Sequence, residues 1–320
     1  MKHAETIPVE VAHIEQVTPL IKQFTLRPVG VGELPSFSGG SHIVVVMRAA
    51  DRTFRNPYSL MGSPRESTSY QIAVRRHDGG RGGSLFMHRE VALGTQLEIA
   101  HPVNLFPLVK LARKHILLAR GVGITPMMAM VDDLDESSCP WELHYGYRGP
   151  GHDGFGARLR ARFGDRIVLY DDSAGDVPEF ARILANQPLG THVYTCGPAD
   201  MIKAVDQAAR AAGWTGSHIH SEQFTAPPVG APFDVNLARS RLTVHVPADR
   251  SLLEAIEAAG VDAPYLCRGG VCGQCETDVL ERDGELIHND HWLSDAEKAG
   301  GMKIMPCVSR ACCTRLVLDR

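Results

Sequence analysis

The stretch that decides the fold lies near the C-terminus, where residues 267–275 read CRGGVCGQC. Cys267, Cys272 and Cys275 have the spacing C-x4-C-x2-C, and Cys307 follows after 31 intervening residues. A 2Fe-2S cluster is commonly held by three thiolates from one loop and by a fourth thiolate that the fold brings next to them. We therefore predict that these four cysteines are the metal ligands.

The glycines of this loop suit the same interpretation. Gly269, Gly270 and Gly273 have no Cβ, so backbone N–H groups near them can approach the cluster sulfurs. The alternatives are a zinc site or unliganded buried thiols. Zinc prefers two separated C-x2-C pairs, and a second pair is missing, so the plant-type ferredoxin spacing favours the cluster. We expect Cys312, Cys313 and Cys139 to be packing residues.

Composition excludes several classes of protein. Six of the eight cysteines follow residue 266 in a chain of 320 residues, whereas disulfide frameworks belong to short secreted chains. With 37 acidic and 33 basic side chains the net charge is -4, which gives no basic excess for nucleic acid. The sequence has neither an apolar N-terminal segment nor an apolar run long enough to span a bilayer. We expect a soluble, cytoplasmic protein, a monomer, with no nucleic acid or membrane as partner.

Charge is unevenly distributed. Residues 241–320 hold 13 acidic and 9 basic side chains, which leaves 24 of each in residues 1–240. The whole net charge therefore lies in the cysteine-bearing tail. Because opposite charge speeds the encounter of two proteins, we predict that this tail is the docking surface for an electron acceptor with a basic patch.

Hydrophobic patterns divide the chain into three domains and a linker. Residues 1–108 contain short alternating strands typical of an antiparallel β-barrel, and residues 109–225 alternate strands with helices as in a parallel α/β sheet. Residues 226–236 are rich in Pro and small residues and predict a linker, which begins at about Thr225. Residues 237–320 form the third domain.

Individual elements can be placed within these domains. The predicted strands are Ile43–Met47, Tyr70–Arg75, Gln96–Ala100, His115–Ala119, Glu142–Tyr147, Ile167–Tyr170, His192–Thr195, Leu242–Val246 and Arg315–Leu318. The predicted helices are Pro126–Leu134, Ala157–Phe163, Pro178–Ala185, Pro198–Ala212 and Ser251–Ala259, the last capped by Ser251 and ended by Gly260.

Two motifs in the first domain suggest a ligand with a planar ring and a phosphate. Residues 55–60 read RNPYSL, in which Tyr58 can lie against a ring and Ser59 can hydrogen-bond a ring nitrogen. Residues 78–84 read DGGRGGS, whose glycines offer unhindered backbone donors to a phosphate. By itself, the glycine loop could equally be a hairpin connection.

Two further motifs predict a nucleotide site in the α/β domain. Residues 117–127 read LLARGVGITPM, a strand and a glycine turn followed by a helix that Thr125 and Pro126 open. Residues 195–198 read TCGP and again end a strand and open a helix. Both turns are expected at the same edge of the sheet, where open α/β sheets bind ligands. Cys196 could alternatively be a small buried hydrophobic residue.

The order of these motifs resembles the phthalate dioxygenase reductase type of Rieske oxygenase reductase over essentially the whole chain. The segments HPVNLFPL at 101–108 and MPCVSRA at 305–311 strengthen the resemblance. It implies a β-barrel that binds FMN, an α/β domain that binds NADH and a β-grasp ferredoxin domain, in that order. It also implies a terminal Rieske non-haem iron oxygenase or demethylase as partner, one that acts on aromatic compounds, with electrons passing from NADH through FMN to the cluster.

Roles for single residues follow from the resemblance. Ser59 is placed beside flavin N5, Cys196 where the nicotinamide arrives, and Glu222 and Phe224 where the flavin site closes; Ser59, Cys196 and Glu222 are the catalytic candidates. Core packing is the alternative for Phe224. The cofactor-binding candidates are Arg55, Asn56, Tyr58, Ser59, Leu60, Val74, Arg81, Gly82, Gly83, Ser84, Gly121, Gly123, Thr125, Pro126, Cys196, Gly197, Pro198 and Phe224.

The chain departs from the family pattern at two places. The flavin motif usually reads Arg-x-Tyr-Ser, but Asn56 occupies the arginine position and Arg55 precedes it, so Arg55, Asn56 and Arg81 all remain candidates for the phosphate contact. The nicotinamide turn usually begins with two glycines, whereas Arg120 precedes Gly121 here. We expect Arg120 to point into solvent rather than to contact a pyrophosphate.

The preference for NADH over NADPH depends on charges near the strand ends. Arg148 would suit a 2′-phosphate, but Asp171 and Asp172 disfavour added negative charge, so we predict NADH. Two other functions stay open. The chain could be a non-catalytic electron-transfer subunit of another flavoenzyme complex, or a structural or sensory iron-sulfur protein.

Overall fold

The computed structural model describes residues 6–50, 52–224 and 228–320. This part of the chain divides into two compact units. The first contains residues 6–76 and 84–224, and the second contains residues 77–83 and 228–320. The first unit therefore holds both the predicted barrel and the predicted α/β domain.

An antiparallel sheet of seven strands forms the N-terminal domain, as predicted. Its elements are β1 (Ile7–Thr18), β2 (Ile21–Pro28), β3 (Ser41–Arg48), β4 (Thr53–Ser59), β5 (Tyr70–Arg75), α1 (Gly83–Arg89), β6 (Gln96–Ile99) and β7 (Val103–Asn104). The strands are ordered β4-β3-β6-β1-β2-β5, and β7 pairs with β3. Inward side chains such as Val9, Phe24, Val45 and Ile72 are fully buried in one core, because successive strand residues alternate between faces.

The second domain is a five-stranded parallel sheet with helices, again as predicted. Its elements are β8 (Lys114–Arg120), α2 (Ile124–Asp135), β9 (Trp141–Tyr147), α3 (Gly154–Phe163), β10 (Ile167–Asp171), α4 (Phe180–Leu184), β11 (Thr191–Cys196), α5 (Ala199–Ala211) and β12 (Ile219–Glu222). The strand order is β10-β9-β8-β11-β12, and the four pairings are parallel. The carboxyl ends of β8, β11 and β12 consequently meet at one edge of the sheet.

The barrel and the α/β domain share apolar packing. Ile21 and Met61 from the barrel belong to the same buried cluster as Leu117 and Met130 from the α/β domain. The backbone N–H of Gly39 in the barrel donates to the carboxylate of Asp133 in α2 at 2.7 Å. Burying apolar surface between the two domains keeps the strand ends of the α/β sheet at a fixed position relative to the barrel.

The C-terminal domain has a mixed sheet and a packed helix, the predicted β-grasp arrangement. Its elements are β13 (Phe233–Leu237), β14 (Leu242–Val246), α6 (Leu252–Ala258), β15 (Thr277–Arg282), β16 (Glu285–Ile287), α7 (Asp295–Gly300), β17 (Lys303–Ile304), β18 (Arg310–Cys312) and β19 (Leu316–Leu318). Five strands are ordered β14-β13-β19-β15-β17, with β13 parallel to β19, while β16 pairs with β18. Ser251 caps α6 through a capping box, and Gly260 follows with a φ of +78°, as the sequence indicated.

The predicted linker extends too far along the chain. Residues up to Asn236 were expected to be irregular, but β13 begins at Phe233. The segment FDVNL alternates buried and exposed side chains, with Val235 and Leu237 buried. In the sequence, the prolines that precede Phe233 obscure this short alternation of apolar and polar residues. Residues 226 and 227 of the linker lie outside the described residues.

Helices in the described ranges are all too short or too polar to cross a bilayer.

Candidate functional site

The four predicted cluster ligands come together as two thiol pairs. The thiols of Cys267 and Cys272 are hydrogen-bonded to each other, and Cys275 Sγ lies 3.2 Å from Cys307 Sγ. Two pairs match a cluster of two irons, each of which takes two thiolates. A single zinc ion would need its ligands around one point. In the described ranges no group of three or more His, Cys, Asp and Glu side chains has that arrangement.

The cluster loop surrounds one of these thiols with hydrogen-bond donors. The N–H of Gly269 donates to Cys267 Sγ at 3.3 Å. Hydrogen bonds from the Cys272 thiol and from backbone N–H groups, including that of Val271, lower the pKa of Cys267. Because metal binding requires thiolates, these donors prepare the loop for a cluster.

Two glycines of the loop are required by their conformation and by close neighbours. Gly270 has a φ of +76°, and a Cβ there would lie 2.6 Å from Cγ2 of Val308. Gly273 has a φ of +75°, and its Cβ would lie 2.4 Å from the ring of Trp292. Side chains at either position would displace the loop, so the residues present fit a tightly wrapped cluster.

Trp292 is a feature of this site that the sequence analysis missed. It is 50% exposed although its ring lies directly on Gly273, and its indole N–H donates to Glu276 at 2.9 Å. Nothing in the sequence around Trp292 distinguishes it from a core aromatic residue, because the contact with Gly273 depends on how the loop folds.

The predicted flavin motif occupies β4 and its end. Asn56 Nδ2 donates to the hydroxyl of Tyr58 at 3.3 Å, and burial raises the pKa of Tyr58. Ser59 is buried, and so is Leu60, whose N–H donates to the carbonyl of Ser41 at 2.8 Å. Val74 is buried on β5. Arg55 is half-buried.

Because the Asn56 side chain is already hydrogen-bonded to Tyr58, Arg55 is the better candidate for the phosphate contact. We expect Arg55→Ala to weaken FMN binding about tenfold or more, because a hydrogen bond to a charged group contributes roughly 1.5 to 3 kcal/mol. Asn56→Ala is the comparison, and FMN retention on dilution and dialysis is the measurement. Unchanged FMN affinity in Arg55→Ala would remove Arg55 from the site.

The glycine loop belongs to the second compact unit. Arg81 forms an ion pair with Glu254 of α6, in which the two side chains are 13% and 12% exposed. Gly82 has a φ of +104°, and α1 begins at Gly83 with Ser84 next to it. The charge of Arg81 is thus already partly compensated, so its role as phosphate ligand stays a prediction.

The two predicted nucleotide turns pack on each other at the carboxyl edge of the parallel sheet. Gly121 has a φ of +57° and starts a single 3₁₀ turn that leads into α2. A Cβ on Gly123 would lie 2.2 Å from the carbonyl oxygen of Cys196. The GVG turn therefore sits directly on the backbone of the TCGP turn.

Other residues of these motifs have mainly structural contacts. Thr125 is buried and its hydroxyl donates to the carbonyl of Val122 at 3.0 Å, and Pro126 is also buried in the first turn of α2. Gly197 lies close to Arg120, and Pro198 is the residue before α5. The turns consequently present backbone rather than large side chains at the sheet edge, as a phosphate-bearing ligand requires.

Cys196 and Glu222 are neighbours at the ends of β11 and β12. They are paired in parallel register. Burial, followed by the charge of Glu222, raises the pKa of Cys196 well above its ordinary value, which makes it a neutral thiol. Burial also raises the pKa of Glu222 to about 8, and its Oε2 has no hydrogen-bond partner among the described residues. A carboxyl oxygen that is removed from solvent and has no partner, at the sheet edge where α/β sheets bind ligands, marks a candidate functional site.

The raised pKa of Glu222 makes stability depend on pH. Since the folded protein binds this proton more tightly, its contribution is complete below the ordinary value of 4.5 and is lost as pH rises through about 8. We expect Glu222→Gln to remove that loss, which amounts to at most about 1.4 kcal/mol per pH unit. Urea unfolding of both proteins across this pH range is the measurement. Identical pH profiles would show that the pKa of Glu222 is ordinary.

One expectation about this edge is wrong, and one alternative is excluded. Arg120 does not simply point into solvent, because its guanidinium forms an ion pair with Asp172 at 2.6 Å. The pair joins the ends of β8 and β10, which the sequence alone does not place together. Phe224 is 48% exposed, so it is not the core residue considered as an alternative.

Asp171 and Arg148 are the charged residues expected to affect the choice between NADH and NADPH. Asp171 accepts hydrogen bonds from the hydroxyl and N–H of Ser173, and the hydroxyl bond is the first cause that lowers the pKa of Asp171. Asp171 therefore stays ionised, and Arg148 is exposed. An ionised carboxylate at the end of β10 disfavours a 2′-phosphate, which agrees with the prediction of NADH.

Two family models match this chain. Residues 235–317 match the 2Fe-2S iron-sulfur cluster binding domain, and residues 103–219 match the N-terminal domain of dimethylamine monooxygenase subunit DmmA-like proteins. The chain is 43% identical over 319 residues to the carnitine monooxygenase reductase subunit of Acinetobacter baumannii, and covers 99% of both proteins. It is 43% identical to the heme-dependent oxidative N-demethylase beta subunit of Ectopseudomonas mendocina, with 98% coverage of both.

A solved structure agrees over the whole fold. The chain superposes on phthalate dioxygenase reductase with a TM-score of 0.89 and 33% identity, covering 98% of both chains. The predicted fold class and the predicted cofactors, FMN, NADH and a 2Fe-2S cluster, are confirmed. The chain belongs to the phthalate dioxygenase reductase family of oxygenase reductases, oxidoreductases that pass electrons from NADH through a flavin to a 2Fe-2S cluster.

Proposed function

We propose that this protein supplies electrons to a separate terminal oxygenase that acts on a small alkylamine or alkylammonium compound. The observation that carries the proposal is the ranking of its relatives. Relatives whose names refer to carnitine or to N-demethylation are 41 to 44% identical, whereas the vanillate and phthalate relatives are 35 and 37% identical. The match of residues 103–219 to the N-terminal domain of a dimethylamine monooxygenase subunit agrees with this ranking.

The proposed roles follow the positions of the side chains. The cysteine pairs Cys267 with Cys272 and Cys275 with Cys307 hold the cluster. Arg55, Tyr58 and Ser59 hold the flavin in the barrel, and the two nucleotide turns hold NADH. Among the remaining candidates named for the cofactors, Asn56, Leu60, Val74, Ser84 and Phe224 complete the proposed flavin site within the first unit, and Arg81, Gly82 and Gly83 stay predictions for the phosphate contact.

The protein's own contribution to the chemistry is placement and proton control. When bound, the flavin accepts a hydride from NADH and releases electrons singly to the cluster, which takes only one at a time. The packing of Gly123 on Cys196 fixes the distance between the two nucleotide turns. The buried Cys196 thiol adds no charge beside the incoming nicotinamide, and the Glu222 carboxyl holds its proton up to about pH 8.

The partner is proposed to be a Rieske non-haem iron oxygenase. A second candidate, a haem-containing demethylase, is favoured by one specific observation, the 43% identity to a subunit of a heme-dependent N-demethylase. Reconstitution decides between them. The purified chain, with NADH, is combined with Rieske and haem terminal components and either alkylamine or aromatic substrates. Coupled turnover of amines with the Rieske component supports the proposal, turnover of amines only with the haem component favours the second candidate, and turnover only with aromatic substrates contradicts both.

Rapid mixing of the isolated chain with NADH tests the two non-catalytic alternatives. A reductase bleaches its own flavin when mixed rapidly with NADH, whereas an electron-transfer subunit fed by another dehydrogenase does not. Purified protein without bound flavin would favour a structural or sensory role.

Docking is proposed to use the acidic C-terminal unit. Its exposed carboxylates include Asp278, Glu285 and Asp295. We expect electron delivery to the oxygenase to slow as salt rises from about 50 to 500 mM, because the Debye length falls below the ~8 Å of physiological ionic strength. NADH-driven reduction of the cluster within the chain is the control and should hardly respond. Delivery that does not depend on salt would place docking on apolar contacts instead.

A further inference from the structure

A buried ion pair supports the cluster loop from behind. Arg268, between Cys267 and Gly269, is only 6% exposed. Its guanidinium lies over the ring of Tyr265 at 3.8 Å and forms an ion pair with Glu257 of α6. The two charged side chains are 5% and 9% exposed. An arginine in a cluster loop is thus held entirely inside the domain.

Stability alone does not explain this pair. Removing two charges from water costs about as much as their attraction returns, unless further hydrogen bonds satisfy both groups. Here Glu257 Oε2 and Arg268 Nε have no hydrogen-bond partner among the described residues. The pair is therefore not optimised for stability, and its position next to a cluster ligand indicates a different role.

The backbone at Arg268 connects the pair to the cluster site. Arg268 has a φ of +50°, a left-handed conformation that residues with a Cβ rarely adopt. The following N–H, that of Gly269, donates to Cys267 Sγ at 3.3 Å. Anchoring the side chain of Arg268 to Glu257 and Tyr265 stabilises this conformation and so keeps the N–H directed at the sulfur.

The charges of the pair also bear on the cluster. A 2Fe-2S cluster becomes more negative when it takes an electron, and nearby charge in a medium of low dielectric constant changes the energy of that step. A buried cation stabilises the reduced cluster, and the neighbouring carboxylate opposes it.

We propose that Arg268 is a positioning residue of the cluster loop, whose buried pair with Glu257 fixes the loop and sets the reduction potential of the cluster. The proposal depends on the cluster and not on which oxygenase is the partner.

The test is a redox titration of the full chain with dithionite and mediators, followed by EPR, together with the rate of cluster loss to a chelator. Neither readout needs NADH or a partner, so it is independent of the proposed function. Arg268→Gln should lower the potential and speed cluster loss about tenfold or more, because Glu257 is left buried without a partner. Arg268→Lys keeps the positive charge but loses the planar guanidinium group and its contact with the ring of Tyr265. The reduction potential of this variant should therefore stay closer to wild type, while its cluster is lost faster.

Arg315→Gln is the matched control, since it removes an arginine from an exposed pair with Glu281 in the same domain. It should leave both readouts unchanged. If Arg268→Gln does not fold, Glu257→Gln tests the same proposal and should raise the potential, because it removes the opposing negative charge. Wild-type potential and cluster lifetime in the Arg268 and Glu257 variants would overturn the proposal.

Discussion

Cys272→Ser is expected to abolish the 2Fe-2S cluster and to leave FMN bound and reducible by NADH. Cys272 is paired with Cys267, and a serine hydroxyl does not replace a thiolate that holds iron. The flavin motif at residues 55–60 belongs to the other compact unit, so its packing does not depend on the cluster. Absorbance and EPR spectra of the purified variant measure cluster and flavin separately.

Cys312→Ser is the matched control, because Cys312 is exposed, contrary to the expectation that it is a packing residue, and lies outside the two thiol pairs. It should retain both cofactors. The glycine loop at residues 77–83 belongs to the cysteine-bearing unit, in which Arg81 pairs with Glu254. Loss of FMN from a folded Cys272→Ser protein would contradict independent binding of the two cofactors.

Gly123→Ala is expected to have the second large effect. The new methyl group would lie 2.2 Å from the carbonyl oxygen and 2.9 Å from the next backbone nitrogen of the Cys196–Gly197 turn. Backbone atoms cannot move aside as a flexible side chain can, so the two nucleotide turns must separate. We expect a loss of about 1 to 3 kcal/mol in the free energy of unfolding. Flavin reduction by NADH should slow on the order of 100-fold, since an ångström of misplacement has effects of that size.

The comparison for this variant is Gly32→Ala, because a Cβ on Gly32 meets nothing within 4 Å. It should unfold like wild type in urea and be reduced by NADH at the wild-type rate. Dithionite should reduce the flavin of both variants equally well. Normal NADH reduction in Gly123→Ala would show that contact between the two turns does not position the nicotinamide.

Much of the fold could be predicted because its signals are local. Hydrophobic runs such as His115–Ala119 and turn residues such as Gly260 mark elements within a few positions, and the structure places them there. The spacing of the four cysteines is also a local signal, apart from the return of Cys307. Boundaries were less certain where prolines obscure alternation, as at β13, which begins inside the predicted linker.

Contacts between distant residues could not be predicted in the same way. Arg120 and Asp172 are 52 positions apart and meet only because β8 and β10 flank β9 in the sheet. Arg81 and Glu254 are 173 positions apart. Whether a charged side chain faces solvent or a partner depends on tertiary packing, and the hydrophobic pattern of a sequence does not contain that information.

An anaerobic titration of the purified chain with NADH tests the central claim most directly. The account predicts that the absorbance of both flavin and cluster bleaches, ending at about 1.5 NADH per chain, because the flavin takes two electrons and the cluster one. No oxygenase is needed for this result. A flavin that NADH does not bleach, or a cluster that stays oxidised beside a fully reduced flavin, would contradict electron transfer from NADH through the flavin to the cluster.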